Sequence, residues 1–196
     1  MKNIRKEIFN CGKAIFQSQG FKGSNISEIT KMAGIGIGTF YSYYSSKEQL
    51  FLDVYLSENK MVKKKIVESL DLNKEPIALV KEFMTQSFDA MRSNMILKEW
   101  YNRDVFRRLE KYFAENEHRD EESIRSFFVK LLKQWKQEGR IRSDIDDDLL
   151  AALFDSLAYI DSHKEDIGIQ YFPELIQYHV EFIMKGLTSE INGDTV

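Results

Sequence analysis

The chain has 196 residues, 43% hydrophobic and 13% aromatic, enough apolar side chains for one generous domain or two small ones. No apolar run approaches the roughly 18 residues needed to span a bilayer. The N-terminus, MKNIRKEIFNCGKAIF, lacks the continuous apolar segment of a signal peptide. A lone Cys11 excludes an intramolecular disulfide framework, so the cytoplasm is the expected compartment. The net charge of −3 argues against a non-specific coat for DNA, but it averages two unlike parts. Within residues 1–47, Lys2, Arg5, Lys6, Lys13, Lys22, Lys31 and Lys47 outnumber Glu7 and Glu28, while the remainder is net acidic. A basic N-terminal part on an acidic body fits local phosphate contact.

The first helix is expected over about Ile4–Gln19, with Ile8, Cys11, Gly12, Ile15 and Phe16 on its buried face. Gly12 costs about 1 kcal/mol against Ala in a helix interior, so it implies close approach of a neighbouring helix. Gly20 ends this helix, and Phe21 returns to the core.

The next stretch, Asn25 to Phe51, reads NISEITKMAGIGIGTFYSYYSSKEQLF. Asn25 can accept from the backbone N–H of Glu28, whose carboxylate can reach back, forming a capping box. Ile26, Ile29, Met32 and Ala33 give one apolar face, and Gly34 follows where a positive φ ends the helix cheaply. A very short second helix covers Ile37 to about Tyr43, with Phe40 and Tyr44 facing inward. Ser46 and Gln49 form a second capping box ahead of a third helix. Helices this short need a packing partner. Two helices joined by a tight glycine turn form the helix-turn-helix signature, whose second helix enters the DNA major groove.

The segment AGIGIGTFYSYYSSKEQL resembles the signature of the tetracycline-repressor (TetR) family of bacterial transcription regulators. The match runs through Ala33, Gly34, Gly38, Thr39, Tyr41, Tyr43, Lys47, Glu48 and Leu50, with Ile35 for Val and Tyr44 for Phe. Gly36 departs from the pattern, standing where the family usually has a serine that caps the recognition helix and often touches a phosphate. The signature covers about the first quarter of the chain.

The fourth helix is expected from Lys47 to about Leu70, joining the DNA-binding part to the body without a flexible linker. Its cluster Lys60, Lys63, Lys64 and Lys65 reads as a solvated face, the sharper alternative being a second phosphate patch. A polar turn at Asp71–Glu75 leads to a helix over Ile77 to about Arg92. A stretch dense in large side chains follows, Ile96 to about Phe113, with a break near Asn102. The run Glu115–Glu122 is either a loop or the exposed start of the next helix, which covers Glu122 to Glu138 and stops at Gly139. The acidic run Asp144–Asp148 reads as a cap for a helix over Leu149 to about Ser162 rather than a calcium loop, since the EF-hand Gly and Glu positions do not fit. The last helix runs from about Pro173 to Leu187, before a fraying tail NGDTV.

No recognisable catalytic array of nucleophile, base or metal ligands occurs in the chain. His118, His163 and His179 form no metal-binding pair, and neither a P-loop nor a dinucleotide fingerprint occurs. No cofactor and no metal are therefore expected.

The reading is an all-α protein of about nine or ten helices. A three-helix helix-turn-helix DNA-binding domain, residues 1–47, precedes a helical effector-binding and dimerisation domain, residues 48–196. The expected function is a ligand-responsive transcriptional repressor that binds a palindromic DNA operator as a homodimer. Its rivals are an effector-free DNA regulator and a helical small-molecule enzyme. Ile37, Gly38 and Thr39 are placed for base edges, and Ser24, Asn25, Tyr41, Tyr43 and Lys47 for phosphates. The resemblance also implies a small-molecule effector pocket among the middle helices. Phe83, Phe88, Trp100, Tyr101, Phe106, Phe128 and Tyr159 are its candidates, with burial in an ordinary core as the alternative. The last two helices carry more apolar surface than one packed face needs. Leu153, Leu157, Leu175, His179, Phe182 and Gly186 are therefore expected at a two-fold dimer seam.

Overall fold

Helix formation follows the apolar spacing throughout the described chain, residues 3–114 and 122–189 of a computed structural model. Ten α-helices lie among these residues. The first five are α1 Ile4–Gly23, α2 Ile26–Ala33, α3 Ile37–Tyr41, α4 Lys47–Ser69 and α5 Pro76–Ser93. The others are α6 Arg103–Ala114, α7 Glu122–Gln137, α8 Asp147–Ser162, α9 Lys164–Ile167 and α10 Glu174–Thr188. Two 3-10 turns, Leu97–Tyr101 and Ile169–Tyr171, precede α6 and α10. The polar run from Glu115 to Glu121, His118 within it, and the tail Asn192–Val196 lie outside the described residues.

Most helix ends have the local causes read from the sequence. α1 starts where Asn3 Oδ1 accepts from the Lys6 N–H, and it is broken at Gly20, whose φ of 70° favours glycine. Asn102, in extended geometry, separates the first 3-10 turn from α6. Beyond α7, the Gly139 N–H donates to Lys136 O and the Arg140 N–H to Trp135 O at 2.8 Å, closing two free carbonyls of the last turn. Asp146 caps α8 by accepting from the Leu149 N–H at 2.8 Å, so the acidic run is the cap and first turn. α9, at four residues, is too short to show a helical period in the sequence.

The chain divides into two compact units, residues 1–63 with 89–120, and residues 64–88 with 121–196. This division differs from a boundary after residue 47. Leu50, Phe51, Leu52, Val54 and Tyr55 of α4 are buried in the first unit's core, because α2 and α3 are too short to enclose one alone. The 3-10 turn and α6 complete it with Leu97, Trp100, Val105 and Phe106.

In the first unit, the Phe51 ring meets Phe16 edge-on at 4.9 Å and Phe21 at 5.0 Å. Gly12 answers the close approach expected of it, since a Cβ there would stand 2.7 Å from Leu50 Cδ2. In the second unit, Leu79, Val80, Leu131, Leu132, Trp135 and Leu150 are buried, as are Ile176, Val180, Met184 and Leu187 of α10. α8 packs against α10. Arg140 ties the turn after α7 to the Lys74 carbonyl at 2.6 Å.

Candidate nucleic-acid interface

α2 and α3 are built by backbone chemistry legible in their sequence. Asn25 Oδ1 accepts from the Glu28 N–H at 2.9 Å. At the other end, Gly34 adopts φ 68°, donating to Lys31 O, while the Ile35 N–H reaches Thr30 O at 3.0 Å. This pair of bonds turns the chain sharply into α3. Ile29 and Ala33 of α2 are buried, but Met32 is 58% exposed, so the apolar face of α2 is narrower than its spacing suggests. Gly36 precedes α3 in extended geometry without a side-chain cap.

α3 ends at Tyr41, two residues before the expected limit, and the chain leaves through turn bonds from Tyr43 N–H and Tyr44 N–H to Phe40 O. Phe40 and Tyr44 are fully buried, as expected, and fix the short helix to the core. Ile37, Tyr41 and Tyr43 are exposed at 51%, 54% and 40%. Gly38 is also exposed and Thr39 is half-buried. The structure therefore brings Ile37, Gly38, Thr39 and Tyr41 together on one short helix, with Tyr43 in the turn that follows. α3 itself carries no acidic and no basic side chain. The Ser46 cap forms, accepting from the Gln49 N–H at 3.1 Å, while Gln49 Oε1 accepts from Ser45.

Two expected phosphate ligands sit differently. Ser24 is 3% exposed, and its hydroxyl donates to Phe21 O at 2.8 Å, so its side chain is not offered to a ligand. Lys47 donates to Phe21 O and Ser24 O, each at 2.7 Å, which leaves one N–H of the ammonium for a phosphate. Burial pushes the Lys47 pKa down, and nearby Arg108 adds to that, while Glu48 opposes it. Asn25 is exposed, with its side-chain oxygen committed to the cap of α2.

The charge balance also changes on folding. Arg5 pairs with Asp53 at 3.0 Å, Lys13 with the buried Glu58, and Lys22 with Asp104 at 2.6 Å. Three cations of the basic part thus meet carboxylates from beyond residue 47. Arg5 also lies over the Tyr44 ring at 5.3 Å, and its pKa is raised by hydrogen bonds to Tyr44 and Asp53. Lys6 and Lys31 stay exposed. A shallow cleft of about 240 Å³ opens beside this pair, lined by Asn3, Arg5, Lys6, Phe9, Tyr44 and Asp53.

Two buried carboxylates escaped sequence reading. Glu58 Oε1 accepts from Asn94 Nδ2 at 2.9 Å. Glu99 Oε1 accepts from the Phe21 N–H at 3.4 Å, and its Oε2 from Asn102 Nδ2 at 2.9 Å. Partners 36 and 78 residues apart leave no local signal.

The aromatic set expected at an effector divides between the two units. Trp100 stacks on Tyr55 at 4.9 Å and meets Phe106 at 5.0 Å, all within the first unit's core. Tyr101 packs partly buried against that core. Phe83 meets Phe128 edge-on at 4.7 Å in the second unit, where Phe88 is also buried. Tyr159 is 63% exposed and stacks on His163. On α8 and α10, Leu153, Leu157, Leu175 and His179 are half-buried, while Gly186 is exposed and Phe182 is 64% exposed. Among the described residues no group of three or more His, Cys, Asp or Glu could hold a metal ion. No helix among them is long and apolar enough to cross a membrane.

A short uncharged helix, seated on Phe40 and Tyr44 and entered through a glycine turn, makes this region a helix-turn-helix, a motif of DNA-binding proteins. Residues 8–54 match the sequence profile of the tetR family of bacterial regulatory proteins. Over 195 residues the chain is 23% identical to the HTH-type transcriptional repressor KstR2 of Mycolicibacterium smegmatis, covering 97% of this chain and 93% of that one. The fold is similar to that of RolR in complex with resorcinol, with a TM-score of 0.64 and 17% identity over 96% of this chain and 89% of that one. It is also similar to Thermus thermophilus FadR in complex with lauroyl-CoA, with a TM-score of 0.58 and 20% identity over 98% of this chain and all of the other.

Proposed function

We propose that the chain is a homodimeric repressor that binds a palindromic operator and leaves it when a small-molecule effector binds. The observation that carries this reading is the exposed, uncharged surface of α3 above the buried Phe40 and Tyr44. DNA contact is confined to residues 1–47, and effector binding and dimerisation belong to residues 48–196. Ile37, Gly38 and Thr39 face base edges, Ile37 against a thymine methyl. Asn25, Tyr41, Tyr43 and the remaining N–H of Lys47 face phosphates, which position the protein without reading sequence. Two-fold symmetry sets the operator half-sites about one helical turn apart or a multiple of it.

The dimer seam runs along Leu153 and Leu157 of α8 and Leu175, His179, Phe182 and Gly186 of α10. The exposed Phe182 ring and the open space around Gly186 support a helix from a second copy there. The effector is assigned to the second unit near Phe83, Phe88 and Phe128. Resorcinol in RolR and lauroyl-CoA in Thermus thermophilus FadR support an organic molecule with an aromatic or acyl part for this role. Such a molecule releases DNA only if it prefers a dimer state with a different separation of the two α3 helices. The protein performs no catalysis in this reading and acts in the cytoplasm, where its DNA lies.

The test is selection of duplexes from a random pool by the full chain, followed by affinity across salt concentrations. The expected product is a palindrome whose log K falls steeply with log[salt] between about 50 and 200 mM, as phosphate neutralisation releases counterions. A flat salt dependence, or no enriched duplex, sinks the DNA reading. Native mass spectrometry of the purified protein tests the effector: a co-purified small molecule should weaken binding to the selected duplex when added back.

A further inference from the structure

We propose that Glu99 is a positioning residue of the DNA-binding surface, its buried carboxylate holding the Phe21–Asn25 turn and so the N-terminus of α2. The proposal rests on the DNA-binding reading above.

α1 is broken at Gly20, and a break leaves backbone groups without their intrahelical partners. At Phe21 the missing partners are side chains. The Phe21 N–H donates to Glu99 Oε1 at 3.4 Å. The Phe21 carbonyl accepts from Lys47 Nζ at 2.7 Å and from Ser24 Oγ at 2.8 Å. The ring is fully buried against Phe51. A Cβ on Gly20 would stand 3.1 Å from Glu99 Oε1, so the carboxylate lies directly on the break. Three residues beyond Ser24's hydrogen-bond partner the chain reaches Ser24 itself, and next comes Asn25, which caps α2.

Glu99 is itself held. It sits in the 3-10 turn Leu97–Tyr101, with Asn102 donating to its Oε2 at 2.9 Å. At the start of the same segment, Asn94 donates to Glu58 at 2.9 Å and accepts from the Ile96 and Leu97 N–H groups. An asparagine and a buried glutamate thus fix each end of residues 94–102. Glu99 and Glu58 are 7% and 4% exposed, and a carboxylate so buried is tolerated only while its bonds hold. Removing the Glu99 acceptor leaves the Phe21 N–H buried and unpaired, which drives the turn to rearrange.

The experiment compares the wild-type full chain with Glu99→Ala and Glu99→Gln, using the duplex that the wild type selects and a random-sequence duplex. Glu99→Ala should weaken binding to both by about tenfold and leave sequence preference unchanged, because the turn meets phosphates and not bases. Glu99→Gln keeps an oxygen acceptor and should stay within about threefold of wild type. The Phe21 amide should exchange with solvent faster in Glu99→Ala, while the Ile29 amide inside α2 keeps its rate. Wild-type affinity in Glu99→Ala, a changed preference, or a Glu99→Gln loss equal to that of Glu99→Ala overturns the proposal. Should Glu99→Ala fail to fold, the wild type still decides: its Phe21 amide must be protected, and an unprotected one overturns the proposal. Failure of the wild type to bind any duplex removes the DNA reading instead, and leaves the Phe21 exchange comparison standing by itself.

Discussion

The Lys47 ammonium lies 2.7 Å from the Phe21 carbonyl oxygen and 4.3 Å from the centre of the same residue's ring. A lysine whose motif suggests a phosphate ligand is therefore also a lock on the turn between α1 and α2, since it closes Ser24 O as well. Hydrogen bonds to a charged group contribute about 1.5–3 kcal/mol each in favourable cases, and Lys47 is half-buried. Lys47→Met should destabilise the chain by about 2 kcal/mol and weaken binding to every duplex. Urea unfolding followed by helical circular dichroism checks this, and a wild-type midpoint would show that the lock contributes nothing.

Gly36 opens α3 with φ −76° and ψ 154°, a conformation any residue adopts, and a Cβ there meets nothing within 4 Å. A serine at this place adds the missing side-chain cap and restricts the unfolded chain. Gly36→Ser should stabilise the protein by a few tenths to about 1 kcal/mol and raise DNA affinity. Thermal unfolding shows the first effect. A lower midpoint would mean that the glycine has a purpose its geometry does not reveal.

Thr39 and Tyr43 should separate reading from positioning. Thr39→Val removes a hydroxyl from the middle of α3 and should change the selected sequence, at roughly 1–3 kcal/mol of discrimination at one base pair. Tyr43→Phe, beyond the end of the helix, should weaken all sequences alike. Selection from a random pool with each variant distinguishes them, and an unaltered Thr39→Val profile would end the base-reading assignment.

The proposed dimer seam is tested at Phe182, which is 64% exposed in the single chain. Phe182→Glu places a carboxylate twice in one symmetric contact, and burying an unpaired charge costs several kcal/mol. The variant should sediment as a monomer, retain its helical signal and lose preference for the palindrome. A dimer at micromolar concentration would move the interface elsewhere.

The sequence disclosed what depends on neighbours along the chain. The Asn25, Ser46 and Asp146 caps, the Gly34 and Gly20 turns and the burial of Phe40 and Tyr44 all arise from contacts within a few residues or from one helical period. Gly12 was readable as a close approach, though its partner Leu50 was not named by it. What stayed hidden depends on tertiary pairing. Lys47 and Glu99 meet Phe21 from 26 and 78 residues away, so neither announces its partner. The aromatic candidates divide between two units because residue type says how much area a ring buries, not in which core it does so. Met32 has the spacing of a core residue yet is 58% exposed, since α2 is only eight residues long and buries a narrow strip.

The absence of charge on α3, Ile37–Tyr41, makes address and adhesion independent settings of this protein. In the proposed reading the cationic attraction to the phosphates comes from outside α3, so Ile37, Gly38 and Thr39 can be exchanged without disturbing the response to ionic strength. A lineage could thus redirect the protein to a new operator through two or three substitutions and keep its occupancy at cellular salt. The same independence makes Ile37–Thr39 a replaceable cassette: grafting the corresponding residues of a related regulator should transfer the sequence that is read while the slope of log K against log[salt] stays where it was.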